Sequence, residues 1–175
     1  GVQMNNMMKF SALTAAVLLG FAGCSSSDDS TAAATVTGID VTVERGPVMN
    51  ARVSDAVGQV ATVKNKNIYH FADKITYPVT VTGGWIDVNG DGLRDSNDVA
   101  LDMVMKSYHP VVTPLTTKAA NDADVNASNF EEKLQAVADK AGMSLADAKK
   151  LPSQSYNVAL LANAIYNDFV HAGDL

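Results

Sequence analysis

Apolar side chains recur at every second position along the N-terminal two thirds of the chain. Ile39, Val41 and Val43 share one face, Met49, Ala51 and Val53 another, and further short runs fall at 60–63, 68–71 and 77–85. A period of two puts such residues on one side of a strand. Turn-forming residues separate the runs, at Arg45-Gly46-Pro47, at 55–58, at 64–67 and at Ala72-Asp73-Lys74. About six or seven short strands at this spacing predict an antiparallel β-sandwich over residues 36–117, a length sufficient for two packed sheets.

Beyond Thr117 the period becomes helical. Ser128 and Glu131 have capping-box spacing and predict a helix to about Ala141, with Phe130, Leu134 and Val137 on one stripe and Gly142 as its stop. Ser144 and Asp147 repeat the device for a brief helix ended by Pro152. A third helix is expected over 155–170, carrying Val158, Leu161, Ala162, Ile165 and Phe169, with Gly173 closing it. Residues 118–175 thus form a small C-terminal helical segment, and the expected fold class is mainly β with an α appendage. The helical stripes need a surface, either each other or an open edge of the sandwich.

The N-terminus has a different logic. Lys9 precedes an apolar run at 10–21, too short for a bilayer, which a helix spans with about 20 residues. Small residues follow at Ala22-Gly23, so residues 1–23 are expected to be a signal peptide. Gly1, Val2 and Gln3, ahead of any methionine, look like a remnant of cloning or gene calling. The chain's one cysteine, Cys24, comes directly after the small residues and has no partner with which to form an internal disulfide. This arrangement resembles the lipobox of bacterial lipoproteins, which implies acylation of Cys24, with Ser25 behind it resembling the sorting signal for the outer membrane. Residues 24–35 form a short flexible tether. An ordinary secreted protein with a free thiol is the alternative.

Composition narrows the partners. Hydrophobic residues make up 47% of the chain, and its net charge of −6 would become −7 on loss of Lys9. An acidic chain without a basic cluster suits neither nucleic acid nor anionic lipid head groups. Membrane contact is therefore expected through the lipid on Cys24 alone.

The densest chemistry lies at 87–98, D-V-N-G-D-G-L-R-D-S-N-D. Calcium takes six to eight hard oxygens, and a twelve-residue loop supplies them from positions 1, 3, 5, 7, 9 and 12. Those positions hold Asp87, Asn89, Asp91, the carbonyl of Leu93, Asp95 and Asp98, with Gly92 sixth, where the backbone must turn sharply. Four carboxylates in one loop repel unless a divalent ion or solvation relieves them. Asn89-Gly90 and Asp91-Gly92 are also favoured turn dipeptides, so a solvated polar turn is the competing reading, although it requires neither Asp95 nor Asp98. Magnesium, which demands a tight octahedron, suits such a loop less. The exit at 99–107 fits a strand face through Leu101, Met103 and Met105, or a helix through Leu101, Val104, Met105 and Tyr108; the strand is preferred, which makes the loop a hairpin tip. A second such loop fails at 122–133, where Ala127 replaces the glycine and Lys133 the last carboxylate.

The segment resembles the calcium loop of EF-hands, and more closely that of dockerin modules, which also end it with aspartate. A dockerin uses two loops, each followed by a helix, whereas this chain has one, with Arg94 at the eighth position. The stretches G-P-V-M-N-A-R-V-S-D-A-V-G-Q-V-A-T-V, T-V-T-G-G-W-I-D and H-P-V-V-T-P-L-T-T resemble immunoglobulin-like or carboxypeptidase-regulatory-like (transthyretin-like) sandwiches of bacterial surface proteins. That resemblance covers about residues 46–147 and implies a scaffold, stalk or binding module.

Signs of catalysis are absent. His70, His109 and His171 lie in different elements without ligand spacing, and no nucleophile elbow, phosphate loop or dinucleotide fingerprint occurs. Trp85 beside Gly83-Gly84 is expected in the core rather than as a sugar-stacking platform, and Met103 and Met105 as packing. The expected function is a non-enzymatic, calcium-binding, lipid-anchored module on the bacterial outer membrane or cell surface, structural or adhesive. The alternatives are a dockerin-like or carbohydrate-recognition module with a protein or glycan partner, and the N-terminal fragment of a larger surface protein or enzyme.

Overall fold

A computed structural model describes residues 38–172, all within one compact unit, Thr35–Leu175. The expected leader at 1–23, Cys24, the tether at 24–35 and the helix stop Gly173 lie outside the described residues. Ten short strands come first: β1 (Ile39–Val43), β2 (Val48–Met49), β3 (Arg52–Ser54), β4 (Thr62–Asn65), β5 (Ile68–Phe71), β6 (Val79–Thr82), β7 (Trp85–Ile86), β8 (Val99–Ala100), β9 (Met105–Ser107) and β10 (Val111–Val112). Four helices follow: α1 (Pro114–Ala120), α2 (Phe130–Asp139), α3 (Leu145–Ala148) and α4 (Tyr156–His171). The fold is therefore mixed and β-rich, with mostly antiparallel sheets.

One sheet has the order β10-β1-β5-β4, in which only β1 and β10 run parallel. Two three-stranded sheets have the orders β2-β7-β8 and β3-β6-β9. These two use the same three stretches of chain in the same order, interrupted at one level. Asn50 has φ 51° there, and Gly83 and Gly84, opposite it, have φ 65° and 82°. A Cβ on Gly84 would lie 2.5 Å from the Met49 carbonyl oxygen and 2.9 Å from the Ala51 Cα, so only glycine permits this approach. The expected single run at 77–85 is consequently split into β6 and β7, which belong to different sheets.

One apolar cluster draws residues from all three sheets, among them Val41, Val48, Val53, Tyr69, Val81, Ile86, Met105 and Val112. Tyr69 also ties the sheets with its hydroxyl, which donates to the Val48 carbonyl at 2.8 Å and accepts from the Ala51 amide at 3.0 Å. The run at 60–63 departs from expectation: β4 is exposed throughout, and Val60 and Val63 stay 43% and 53% exposed. β4 is an edge strand, and alternation along a sequence does not distinguish an edge from a covered strand.

The helical part begins earlier than the expected boundary at 117/118. T-P-L-T-T is the first turn of α1: Thr113 Oγ1 accepts the Thr116 amide, Thr116 Oγ1 accepts the Thr113 amide, and Pro114 occupies the first helical position. The Ser128–Glu131 box does not form. Ser128 Oγ instead donates to Asn126 Oδ1 at 2.5 Å, and α2 starts two residues later behind Asn129. The Ser144 cap does form, its hydroxyl accepting the Asp147 amide. The helices enclose a second cluster built on Leu115, Phe130, Leu134, Val158, Ala162 and Ile165, and Phe169 packs against both clusters. A buried carboxylate braces the two parts. Glu44, 4% exposed at the end of β1, accepts the Ser153 amide at 2.5 Å and the Ser153 hydroxyl at 3.0 Å.

Candidate metal centre

Residues 87–98 join β7 to β8, whose register pairs Trp85 with Ala100 and Ile86 with Val99. The loop is thus a hairpin tip, but the expected exit strand over 99–107 is broken into β8 and β9 with residues 101–104 outside any strand; the burial alternation alone persists, Leu101, Met103 and Met105 being buried while Asp102 and Val104 between them are exposed. The base is firm. Trp85 and Ile86 are 7% and 1% exposed, and the Asp87 amide donates to the Pro47 carbonyl at 2.9 Å, tying the loop to the strand beside it.

Asp87 is the pivot of the loop and is only 2% exposed. Its Oδ1 accepts the Gly90 amide at 2.7 Å and its Oδ2 the Gly92 amide at 2.8 Å. Both glycines sit at φ near 80°, which lets the chain coil tightly enough to aim two amides at one carboxylate. Asp98 closes the far end. Its Oδ1 accepts the Val88 amide at 3.0 Å and its Oδ2 the Asp95 amide at 2.8 Å, so the twelfth position grips the second and the ninth.

Asn89, Asp91 and Asp95 meet above this frame. Each carries a local turn in which its side-chain oxygen accepts the amide two residues ahead, from Asp91, Leu93 and Asn97 respectively. The remaining carboxylate oxygens of Asp91 and Asp95 converge on one donor, Asn89 Nδ2, at 2.9 and 3.1 Å. Two like charges share a single amide there. Leu93, whose carbonyl was assigned a ligand role, is 71% exposed through its side chain and donates its amide to Asp91. Lys66, in the β4–β5 turn, passes the loop, with its Cε 3.9 Å from where a Cβ on Gly92 would stand.

The five polar residues of the expected set therefore take two roles, and the sixth, Leu93, shows only its amide bonded. Asp87 and Asp98 spend their oxygens on backbone amides, and Asn89, Asp91 and Asp95 face one another. Among the described residues no three His, Cys, Asp or Glu side chains converge closely enough to hold a metal ion. The donor set is nonetheless entirely hard oxygen, which suits calcium in kind. Rotation of the Asn89 amide end would turn its oxygen, rather than its nitrogen, toward the two carboxylates.

The other candidates fall outside the loop. His70 bonds Asp40 through Nδ1 at 2.7 Å, and His109 rests edge-on against Phe130 with ring centroids 4.9 Å apart. These two and His171 are not brought together. Trp85, in β7 between β2 and β8 of its sheet, is 7% exposed and buried as expected of a core residue. Sequence reasoning did not single out the role of Lys66; its place depends on the register that brings the β4–β5 turn beside the hairpin tip. Comparison of the chain with protein-family models, with curated proteins and with solved structures found no match.

Proposed function

We propose that this chain is a non-catalytic, exported lipoprotein module, anchored through Cys24 to the bacterial outer membrane or cell surface, in which calcium at the β7–β8 hairpin tip rigidifies a two-layer β-sandwich. The observation that carries the reading is the coiled state of the loop around buried Asp87, with Asn89, Asp91 and Asp95 turned toward one point. In this reading Asn89, Asp91, Asp95 and the Leu93 carbonyl supply the movable ligands, and Asp87 and Asp98 contribute charge while holding the coil. The ion supplies two positive charges, which offset half the charge of the loop's four carboxylates. Support for two immunoglobulin-like or transthyretin-like layers comes from the single apolar cluster shared by the four-stranded sheet and the two three-stranded ones.

Titration calorimetry of chelator-stripped protein tests the metal. One calcium per chain is expected, with a dissociation constant in the extracellular range of about 10⁻⁴ to 10⁻³ M; no uptake at several millimolar calcium would refute it. For the anchor, radiolabelled fatty acid should be incorporated by the chain and not by Cys24→Ser. Equal labelling of the two removes the lipid.

A further inference from the structure

A hollow of about 290 Å³ opens between the last turn of α1, the outer face of α2 and the end of α4. Its floor is apolar, formed by Ala119, Ala136, Val137 and Phe169, and its rim carries Lys118, Lys133 and Lys140. In a chain of net charge −6, three ammonium groups against Asp122, and Asp168 where the hollow continues, leave a positive local balance. Lys133 is already engaged, its ammonium 2.9 Å from Asp122 with the side chain only 24% exposed. Lys118 and Lys140 make no ion pair among the described residues. A smaller hollow of about 220 Å³ shares Lys118 and Phe169 with it and is completed by Asp168 and Ala172 at the end of α4.

Charge alone at such a place is satisfied by water, and an apolar floor alone by any greasy group. The combination selects a molecule that has both, since the body loses water against Phe169 and Val137 while its charged end is met by flexible ammonium donors. We propose that this hollow binds a small organic anion, a carboxylate or sulfonate on a compact aromatic or aliphatic body, held at its charged end by Lys118 and Lys140. Lys133, fixed by Asp122, forms the back wall. The site is separate from the hairpin tip, and its occupancy does not require calcium.

The test uses anilinonaphthalene sulfonate as the anionic probe and N-phenyl-1-naphthylamine, the same body without the sulfonate, as the neutral one. Fluorescence titration of the natively folded protein, with the probe's contacts mapped by amide shifts, should show saturable one-to-one binding of the anion at residues of α1, α2 and α4. Lys118→Gln/Lys140→Gln should weaken the anion by about tenfold, the loss expected for two partly solvated charge contacts, and leave the neutral probe unchanged. Ala136→Trp, an exposed position that fills the hollow without touching the core, should abolish both. Far-UV dichroism and the melting midpoint confirm that each variant is folded. Equal affinity for the two probes, or anion binding indifferent to the lysine pair or to Ala136→Trp, overturns the proposal.

Discussion

Asp87 and Asp91 differ in a way that separates the loop's own stability from its metal. Asp87 is buried and accepts two backbone amides at 2.7 and 2.8 Å. A hydrogen bond to a charged group contributes roughly 1.5–3 kcal/mol. Gly90 is exposed, so water replaces at least that partner when the carboxylate is removed, and Asp87→Ala should cost about 1–3 kcal/mol even in chelator. At about 4 °C per kcal/mol for a unit of this size, its melting midpoint should fall by roughly 4–12 °C. Asp91 is exposed and bonds only groups that water also reaches, Leu93 N and Asn89 Nδ2. Asp91→Ala should therefore melt within about 2 °C of the parent in chelator, as surface changes usually do. Calcium divides them differently. With a dissociation constant of about 10⁻⁴ M and 1 mM calcium, occupancy adds roughly 1.4 kcal/mol, or about 5–6 °C, to the parent, and both variants should lose that increment. The assay is differential scanning fluorimetry of the three proteins with calcium and with chelator. If the parent shows no calcium shift, or Asp91→Ala keeps it, the metal assignment fails; if Asp87→Ala melts normally in chelator, the account of the coil fails.

Lys66→Met should tighten calcium binding severalfold, because its side chain, passing Gly92, adds a positive charge near the loop to that of Arg94 within it; unchanged affinity at low salt would remove Lys66 from the site. Glu44→Ala should destabilise the fold by about 1–2 kcal/mol in urea denaturation, since it removes a buried charged acceptor from the amide and hydroxyl of exposed Ser153, while calcium affinity stays as it was. Asp55 supplies a pH test: burial pushes its carboxyl up, but the amides of Thr76, Gln59 and Val57 hold it below the ordinary carboxylate value overall. Its stabilisation is thus complete above the unfolded-state pKa and lost as pH falls through the folded-state one, so Asp55→Asn should lower the melting midpoint at neutral pH and converge with the parent in acid. A constant difference at every pH would contradict this.

The elements that position the site were legible wherever a local rule carried the signal. Strand β5, the turns at 45–47 and 55–58, the Ser144 cap and the alternating burial after the loop all follow from alternation or turn chemistry within a few residues, although the expected exit strand is broken between β8 and β9. Failures came where a side chain had two local partners to choose from. Ser128 had capping spacing to Glu131, but its hydroxyl found Asn126, and Thr113–Thr116 formed the reciprocal pair inside what looked like a connecting turn. The break at Gly83-Gly84 was written as two glycines, yet its consequence needs the partner strand: a Cβ is excluded there only because Met49 and Ala51 lie opposite.

The loop divides its six residues along the same line between local and distant partners. Asp87 and Asp98 are buried or half-buried at the ends of the coil, and their acceptor capacity goes to amides three to ten residues away, a frame that holds whether or not an ion is present. Asn89, Asp91 and Asp95 are exposed and bond only within the coil, so an ion can recruit their outer oxygens at the cost of one shared amide contact. A loop arranged in this way folds first and binds afterwards. Occupancy should then stiffen the tip with little displacement of β7 and β8, and amide exchange, which reports local opening, should slow with calcium at residues 89–97 and stay unchanged at Trp85 and Ile86.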